Sequence, residues 1–89
     1  MDKENSWVLY ILICSDGTFY AGITNDLARR LNQHRDGSAS RYTRTRRPVK
    51  IVYDESCASR SDALKKEYAV KALSRKEKEI LIGRTSLLQ

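Results

Sequence analysis

Between Trp7 and Thr24 the chain reads WVLYILICSDGTFYAGIT, two runs of β-forming residues joined by Ser15-Asp16-Gly17. This stretch limits the fold more than any other, because an Asp-Gly between two such runs specifies a tight hairpin. Two registers are open. A two-residue Asp16-Gly17 turn pairs Tyr10 with Ile23 and sends Tyr10 and Tyr20 to opposite faces of the sheet. A three-residue loop with Gly17 in the left-handed bulge position shifts the pairing by one, sets Tyr10 opposite Gly22 and brings both tyrosines to one face. The Ser-Asp-Gly order favours the second register. That register also gives Gly22 a purpose, since a missing side chain there leaves a cleft beside two phenol hydroxyls. Taken alone, either tyrosine also fits as an ordinary strand residue with its hydroxyl at the sheet edge.

The remaining elements follow from their punctuation. Strand one is expected over Trp7 to Cys14 and strand two over Thr18 to Thr24. A first helix starts at Asn25 or Asp26, either of which can cap it, and stops at Gly37. Ser38 to Arg47 reads as a loop. Pro48 opens a third strand, Val49 to Tyr53, at the position where its missing N–H does least harm. A second helix runs from Ser59 or Ser61 to Leu73. Ser74-Arg75-Lys76-Glu77 has the form of a capping box, so a third, short helix begins there and ends by Gly83. Three strands cannot close a barrel. The expectation is an α/β (α+β) fold of order ββαβαα, a small three-stranded antiparallel sheet flanked by three helices. Residues 1–6 read as a polar tail, 7–83 as a single domain and 84–89 as a C-terminal tail.

A chain of 89 residues builds one modest core and has no room for a second catalytic domain. The polar start and the short first apolar run fit neither a signal peptide nor a membrane span. Cys14 and Cys57 have no metal-site spacing and suit free thiols in a reducing compartment, so a cytoplasmic location is expected. The net charge is +6, and its placement says more than its size. Between Arg29 and Lys50 stand eight basic residues against one acid, Asp36, while the rest of the chain holds nine basic and ten acidic groups. The whole excess therefore lies in one quarter of the molecule. A balanced scaffold with one basic segment is the electrostatic footprint of a phosphate binder. Seven of the eight are arginines, whose guanidinium fork matches phosphate oxygens in a bidentate way.

Helical phase adds to the pattern. At 100° per residue, Leu27 and Leu31 define the buried stripe of the first helix, Arg29 faces water, and Arg30 and His34 share the stripe's edge, four apart and within reach of each other. In the second helix Leu64 and Tyr68 mark the stripe, with Glu67 and Lys71 at its edge. Glu67 and Lys71 also have the spacing of a surface salt bridge, and a lone histidine also fits a hydrogen-bonded rim position.

Tyr10, the triplet Tyr20-Ala21-Gly22, Arg30 eight residues after that glycine, His34 four later and Glu67 in a following helix together resemble the GIY-YIG nuclease superfamily. The likeness spans Trp7 to about Leu81 and is nearest to the small, stand-alone, mostly bacterial members, which share the look of Arg41-Tyr42-Thr43 and Arg47-Pro48-Val49. The first motif here reads Val8-Leu9-Tyr10 and the second has alanine for isoleucine; the tyrosines and Gly22 are kept.

The resemblance implies a metal-dependent endonuclease acting on DNA, in repair or recombination. It implies that Glu67 holds one divalent ion, Mg²⁺ or Mn²⁺. Arg30 would clamp the scissile phosphate, and Tyr10 would be the general base or position the water, with Tyr20 binding phosphate or orienting Tyr10. A free tyrosine, with a pKa of about 10, is a poor base at neutral pH, so the site is expected to favour phenolate through Arg30, His34, Lys71 and the metal. His34 is the alternative acceptor. Arg41, Arg44, Arg46, Arg47 and Lys71 are the candidate backbone contacts, and Tyr42 either stacks on a base or anchors the loop. No base-reading module is present in the sequence, so weak, salt-sensitive binding is expected. A protein partner supplying specificity, or a branched, damaged or single-stranded substrate, would fit that. The alternatives are a non-catalytic nucleic-acid-binding module of the same fold and a protein-interaction domain.

Overall fold

The computed structural model describes residues 6–87. Strands β1 (Trp7–Ile13), β2 (Phe19–Thr24) and β3 (Lys50–Cys57) form one antiparallel sheet in the order β2-β1-β3. Helices α1 (Leu27–Asp36), α2 (Arg41–Arg44), α3 (Arg60–Lys71) and α4 (Arg75–Leu87) complete the chain. The expected ββαβαα order holds, with one addition: the segment read as loop contains the single helical turn α2.

The hairpin takes the three-residue loop. Gly17 has φ +83°, its N–H donates to the Cys14 carbonyl at 2.9 Å, and the Cys14 N–H donates to the Thr18 carbonyl at 2.8 Å. The Asp16 carboxylate fixes the turn by accepting from the Thr18 N–H at 3.1 Å and the Thr18 hydroxyl at 2.6 Å. Tyr10 accordingly pairs with Gly22, and Leu12 with Tyr20. Both tyrosines lie on one face.

Strand β1 is central and is covered on both sides, which is why its sequence is nearly continuous in apolar residues. Leu9 and Ile11 face a layer that includes Ala21, Ala63 and Val70, with Leu81 and Ile82 of α4 packed on it. Tyr10, Leu12 and Cys14 face the other side, against Val49 and the Leu27 and Leu31 stripe of α1. The molecule is therefore a sheet with α3 and α4 on one face and α1 on the other.

Caps act where the sequence places them. Asp26 accepts the Arg29 N–H at 3.2 Å to open α1, and Gly37, at φ +88°, closes it. Ser59 opens α3. In the capping box of α4 the Ser74 N–H donates to Glu77 Oε1 at 2.8 Å and the Glu77 N–H to Ser74 Oγ at 3.2 Å.

Three expectations are corrected. Strand β3 continues beyond Tyr53 to Cys57, because the polar run Asp54-Glu55-Ser56 still pairs with Tyr10, Leu9 and Val8 of the central strand. Helix α4 does not stop at Gly83 but runs to Leu87. A mid-helix glycine costs only about 1 kcal/mol, and the packing of Leu81 and Ile82 just before it carries the helix through. Residues 84–87, read as tail, are thus helical, while residues 1–5 and 88–89 lie outside the described ones. The third correction is the phase of α3. Leu64 is 40% and Tyr68 80% exposed, whereas Ala63 and Val70 are buried. The helix lies close enough to β1 and β2 for alanine to be the contact residue, so the large side chains point outward.

Among the described residues, no helix is long and apolar enough to cross a membrane. Cys14 and Cys57 are both free and buried.

Candidate active site

The re-phasing of α3 matters for the site. Ala63, Glu67 and Val70 are spaced i, i+4, i+7 and form one face of the helix. Glu67 is therefore a carboxylate inside the sheet-facing stripe rather than at its edge, with its side chain only 19% exposed. Lys71 reaches it at 3.3 Å.

Tyr10 and His34 meet on the face covered by α1, whereas Glu67 comes from α3 on the other side of the sheet and acts on Tyr10 through its charge. Tyr10 Oη lies 2.8 Å from His34 Nε2, and His34 Nδ1 lies 2.8 Å from Thr43 Oγ1. Tyr10 retains 3% of its exposed surface and His34 1%. The Tyr20 ring packs edge-on against His34, with ring centres 5.2 Å apart. Strand β1 supplies the first phenol, β2 the second and α1 the imidazole. Gly22 is what lets them converge. A Cβ built on Gly22 would stand 2.5 Å from Tyr10 Oη and 2.7 Å from its Cζ, so the space over the glycine is not the open cleft expected from sequence. The Tyr10 ring itself fills it.

Electrostatics set the protonation states. Burial pushes the Tyr10 phenol well above its ordinary range; the Tyr20 and Glu67 charges push the same way, and Arg30 opposes them without prevailing. Of the cations expected to favour phenolate, Arg30 does not offset burial: removal from water costs the anion more than one guanidinium returns, and Tyr10 stays a phenol beside it. Burial also holds His34 below the ordinary histidine range, with Arg30 adding to the depression. The ring is neutral at physiological pH.

This has a measurable consequence. Arg30 on its own helix, Tyr10 from β1, Tyr20 from β2 and Thr43 from α2 face His34, and among the described residues no carboxylate contacts it directly. With the folded value below the unfolded one of about 6.5, the unfolded chain takes up the proton first. Stability is complete above about pH 6.5 and declines as pH falls through the folded value. The chain holds one histidine, so melting temperature is expected to fall as pH drops below about 6.5 and His34→Gln to flatten that decline.

The other predicted residues divide. Arg30 is half-buried, acts on both Tyr10 and His34, and lines a polar hollow with Thr24, Asn25, Asp26 and Gln33. Tyr42 is occupied: its ring stacks on Tyr20 at 5.8 Å and carries the Arg46 guanidinium 3.9 Å from its centre. Arg46 also donates to Asp16 Oδ2 at 3.0 Å and to the Tyr42 carbonyl at 3.0 Å, tying the loop to the hairpin turn. Arg47 donates to the carbonyls of Arg44 and Arg35, and with those two arginines lines a basic hollow. Arg41 is exposed. Sequence reasoning gave no role to Thr43 and Ser40, nor to Lys78, which shares a hollow with Phe19, Tyr20, Tyr42 and Lys71. Thr43 is nine residues from His34, and no local periodicity links them.

A family model described as the GIY-YIG catalytic domain matches residues 6–80. The chain belongs to the GIY-YIG family. That family is a nuclease superfamily, and in this chain the hairpin register sets Tyr10 and Tyr20 on one face, where both rings pack against His34. Relatives are small proteins of similar length. UPF0213 protein DP2720 of Desulfotalea psychrophila is 50% identical over 78 residues, covering 86% of this chain and 71% of the relative. A UPF0213 protein of Bacillus pumilus is 45% identical, covering 92% and 83%. Among solved structures, the solution structure of protein EF2693 from E. faecalis matches with a TM-score of 0.65 at 39% identity, covering 98% of this GIY-YIG chain and 93% of that one. The UPF0213 protein BH0048 from Bacillus halodurans gives 0.58 at 41%, covering 88% and 83%.

Proposed function

We propose that this GIY-YIG domain is a divalent-metal-dependent endonuclease hydrolysing phosphodiester bonds in DNA, with Tyr10 and His34 as its proton-transfer pair. The observation carrying the reading is the 2.8 Å contact between Tyr10 Oη and His34 Nε2, made beside a guanidinium on nearly buried groups. A phenol cannot by itself take a proton from water near pH 7. A phenol bonded to a neutral imidazole can, because its own proton passes to the ring as it accepts another. The water oxygen then bonds to phosphorus, the bond to the 3′ oxygen breaks, and that oxygen takes up a solvent proton. Tyr10 is left as a phenol and His34 as an imidazolium, which returns its proton to solvent. Arg30 neutralises the phosphoryl oxygens as they gain charge, and Tyr20, against His34, borders the phosphate.

A divalent cation fits the donors present. Glu67 is a sheltered carboxylate already paired with a cation, Lys71, and its charge is felt at Tyr10. Among the described residues no group of three or more His, Cys, Asp or Glu converges, so the remaining ligands would be phosphate oxygens and water, as is common for Mg²⁺. Such an ion would polarise the phosphoryl group and help the departing oxygen.

The exposed Arg41 and Arg44 and the Arg35, Arg44 and Arg47 hollow support a backbone-holding role for the basic segment. Repair or recombination is the proposed setting, cytoplasm the proposed location, and a partner protein a proposed source of specificity. The rival is a binding module without turnover. Supercoiled and branched DNA incubated with Mg²⁺ or Mn²⁺ is expected to be nicked, and not with chelator or by Glu67→Gln. DNA retention at low salt without metal-dependent nicking overturns the enzyme reading.

A further inference from the structure

We propose that Thr43 and Ser40 form a positioning pair that fixes His34 as the proton acceptor of Tyr10, a reading that rests on the nuclease function above. Thr43 is fully buried, and its hydroxyl is shared between two partners: His34 Nδ1 at 2.8 Å and Ser40 Oγ at 2.9 Å. Ser40 is itself held by accepting the Thr43 N–H at 3.1 Å, which caps α2.

Counting hydrogens decides how this chain runs. Each hydroxyl carries one hydrogen and the neutral imidazole carries one, so two continuous arrangements exist. In one, Tyr10 donates to Nε2, Nδ1–H donates to Thr43 Oγ1, and Thr43 donates to Ser40 Oγ. In the other every donor reverses, and Nε2–H donates to Tyr10. The reversed arrangement leaves the Tyr10 hydrogen without a partner until a water reaches the hydroxyl. Its only hydrogen-bond partner among the described residues is His34, and Tyr10 is almost wholly buried. A buried hydroxyl hydrogen left unpaired costs more than one hydrogen bond returns. In the forward arrangement each buried hydrogen has an acceptor, and Ser40, half-exposed, turns its own toward solvent.

The forward arrangement leaves the Nε2 lone pair on the Tyr10 proton. It also gives Nδ1–H an oxygen to face when the ring becomes cationic. Thr43 is fully buried and its hydroxyl meets His34 and Ser40, so its contribution is orientation and tautomer. The helical turn that lies in the basic segment thereby also sets the base.

The single histidine makes a direct test clean. ¹⁵N-edited NMR of the His34 ring in full-length protein is expected to show hydrogen on Nδ1 and none on Nε2. Thr43→Val keeps the shape and removes the acceptor. It is expected to populate the Nε2–H tautomer and to lower the nicking rate at saturating DNA by about 10- to 100-fold with KM unchanged; Thr43→Ser restores both. If Thr43→Val fails to fold, Ser40→Ala is read instead, with a smaller tautomer shift in the same direction. An Nε2–H ring in the parent protein overturns the proposal, as does a Thr43→Val or, where that is read, Ser40→Ala ring that keeps Nδ1–H. The spectra need no turnover, so absence of nicking refutes the nuclease reading without touching the tautomer result.

Discussion

Arg30→Ala is expected to lower the rate of DNA nicking by roughly 10²–10³, the loss seen when one preorganised charge-stabilising donor is removed. Three features make the position costly. The residue sits on α1, a helix closed at both ends by Asp26 and Gly37, so its side chain starts from a fixed platform. Its charge is felt at both Tyr10 and His34, so it lies within electrostatic reach of the proton-transfer pair. Among the described residues its guanidinium makes no hydrogen bond or ion pair that a phosphate would have to displace. Arg30→Lys keeps the charge without the planar fork and is expected to recover only part of the rate. Because Arg30 adds to the depression of His34, Arg30→Ala is also expected to move the acidic limb of the melting curve toward the ordinary histidine value, a shift that a purely steric role would not produce. Single-turnover nicking at saturating DNA, with melting temperature as the control, checks both. A rate within about threefold of the parent, against the expected 10² or more, removes Arg30 from the reaction.

What the sequence disclosed and what it hid divide along physical lines. The hairpin register was legible because Ser15-Asp16-Gly17 specifies its own turn, and that register alone brings Tyr10 and Tyr20 to one face. The ends of α1 were legible for the same reason: Asp26 and Gly37 satisfy local backbone groups. Helix α3 was misread because its contact face is built from Ala63 and Val70, and the bulky Leu64 and Tyr68 stand outside. Hydrophobic size gives the wrong phase when a helix packs closely on a sheet. The turn α2 has four residues, too few for any periodicity. Its Thr43 joins His34 by a contact between separate elements, which no spacing rule encodes. The protonation of Tyr10 was hidden too, since it follows from burial that only the fold creates.

Gly22→Ala is the change that most directly separates a built site from a decorative one. The added Cβ would stand 2.5 Å from Tyr10 Oη and 2.7 Å from Cζ, closer than real Cβ atoms approach, and a tight 3.1 Å from Cε2. All three neighbours belong to the far end of one side chain, so the backbone of the hairpin has no reason to break. The strain is expected to fall on the Tyr10 ring, which must swing off β2. That ring is hemmed in by its own layer, where Leu12, Cys14 and Val49 are buried beside it, so the substitution is expected to cost about 1–3 kcal/mol of stability. The catalytic consequence is larger. Displacing the phenol by about 1 Å breaks its alignment with His34 Nε2, and misplacement on that scale costs about 10² in rate. Gly83→Ala, whose Cβ meets nothing within 4 Å, serves as the control and is expected to leave nicking unchanged. Folded Gly22→Ala protein that cuts DNA within a few-fold of the parent would mean that the position of the Tyr10 hydroxyl is irrelevant to the chemistry, and the proton route through His34 would fall with it.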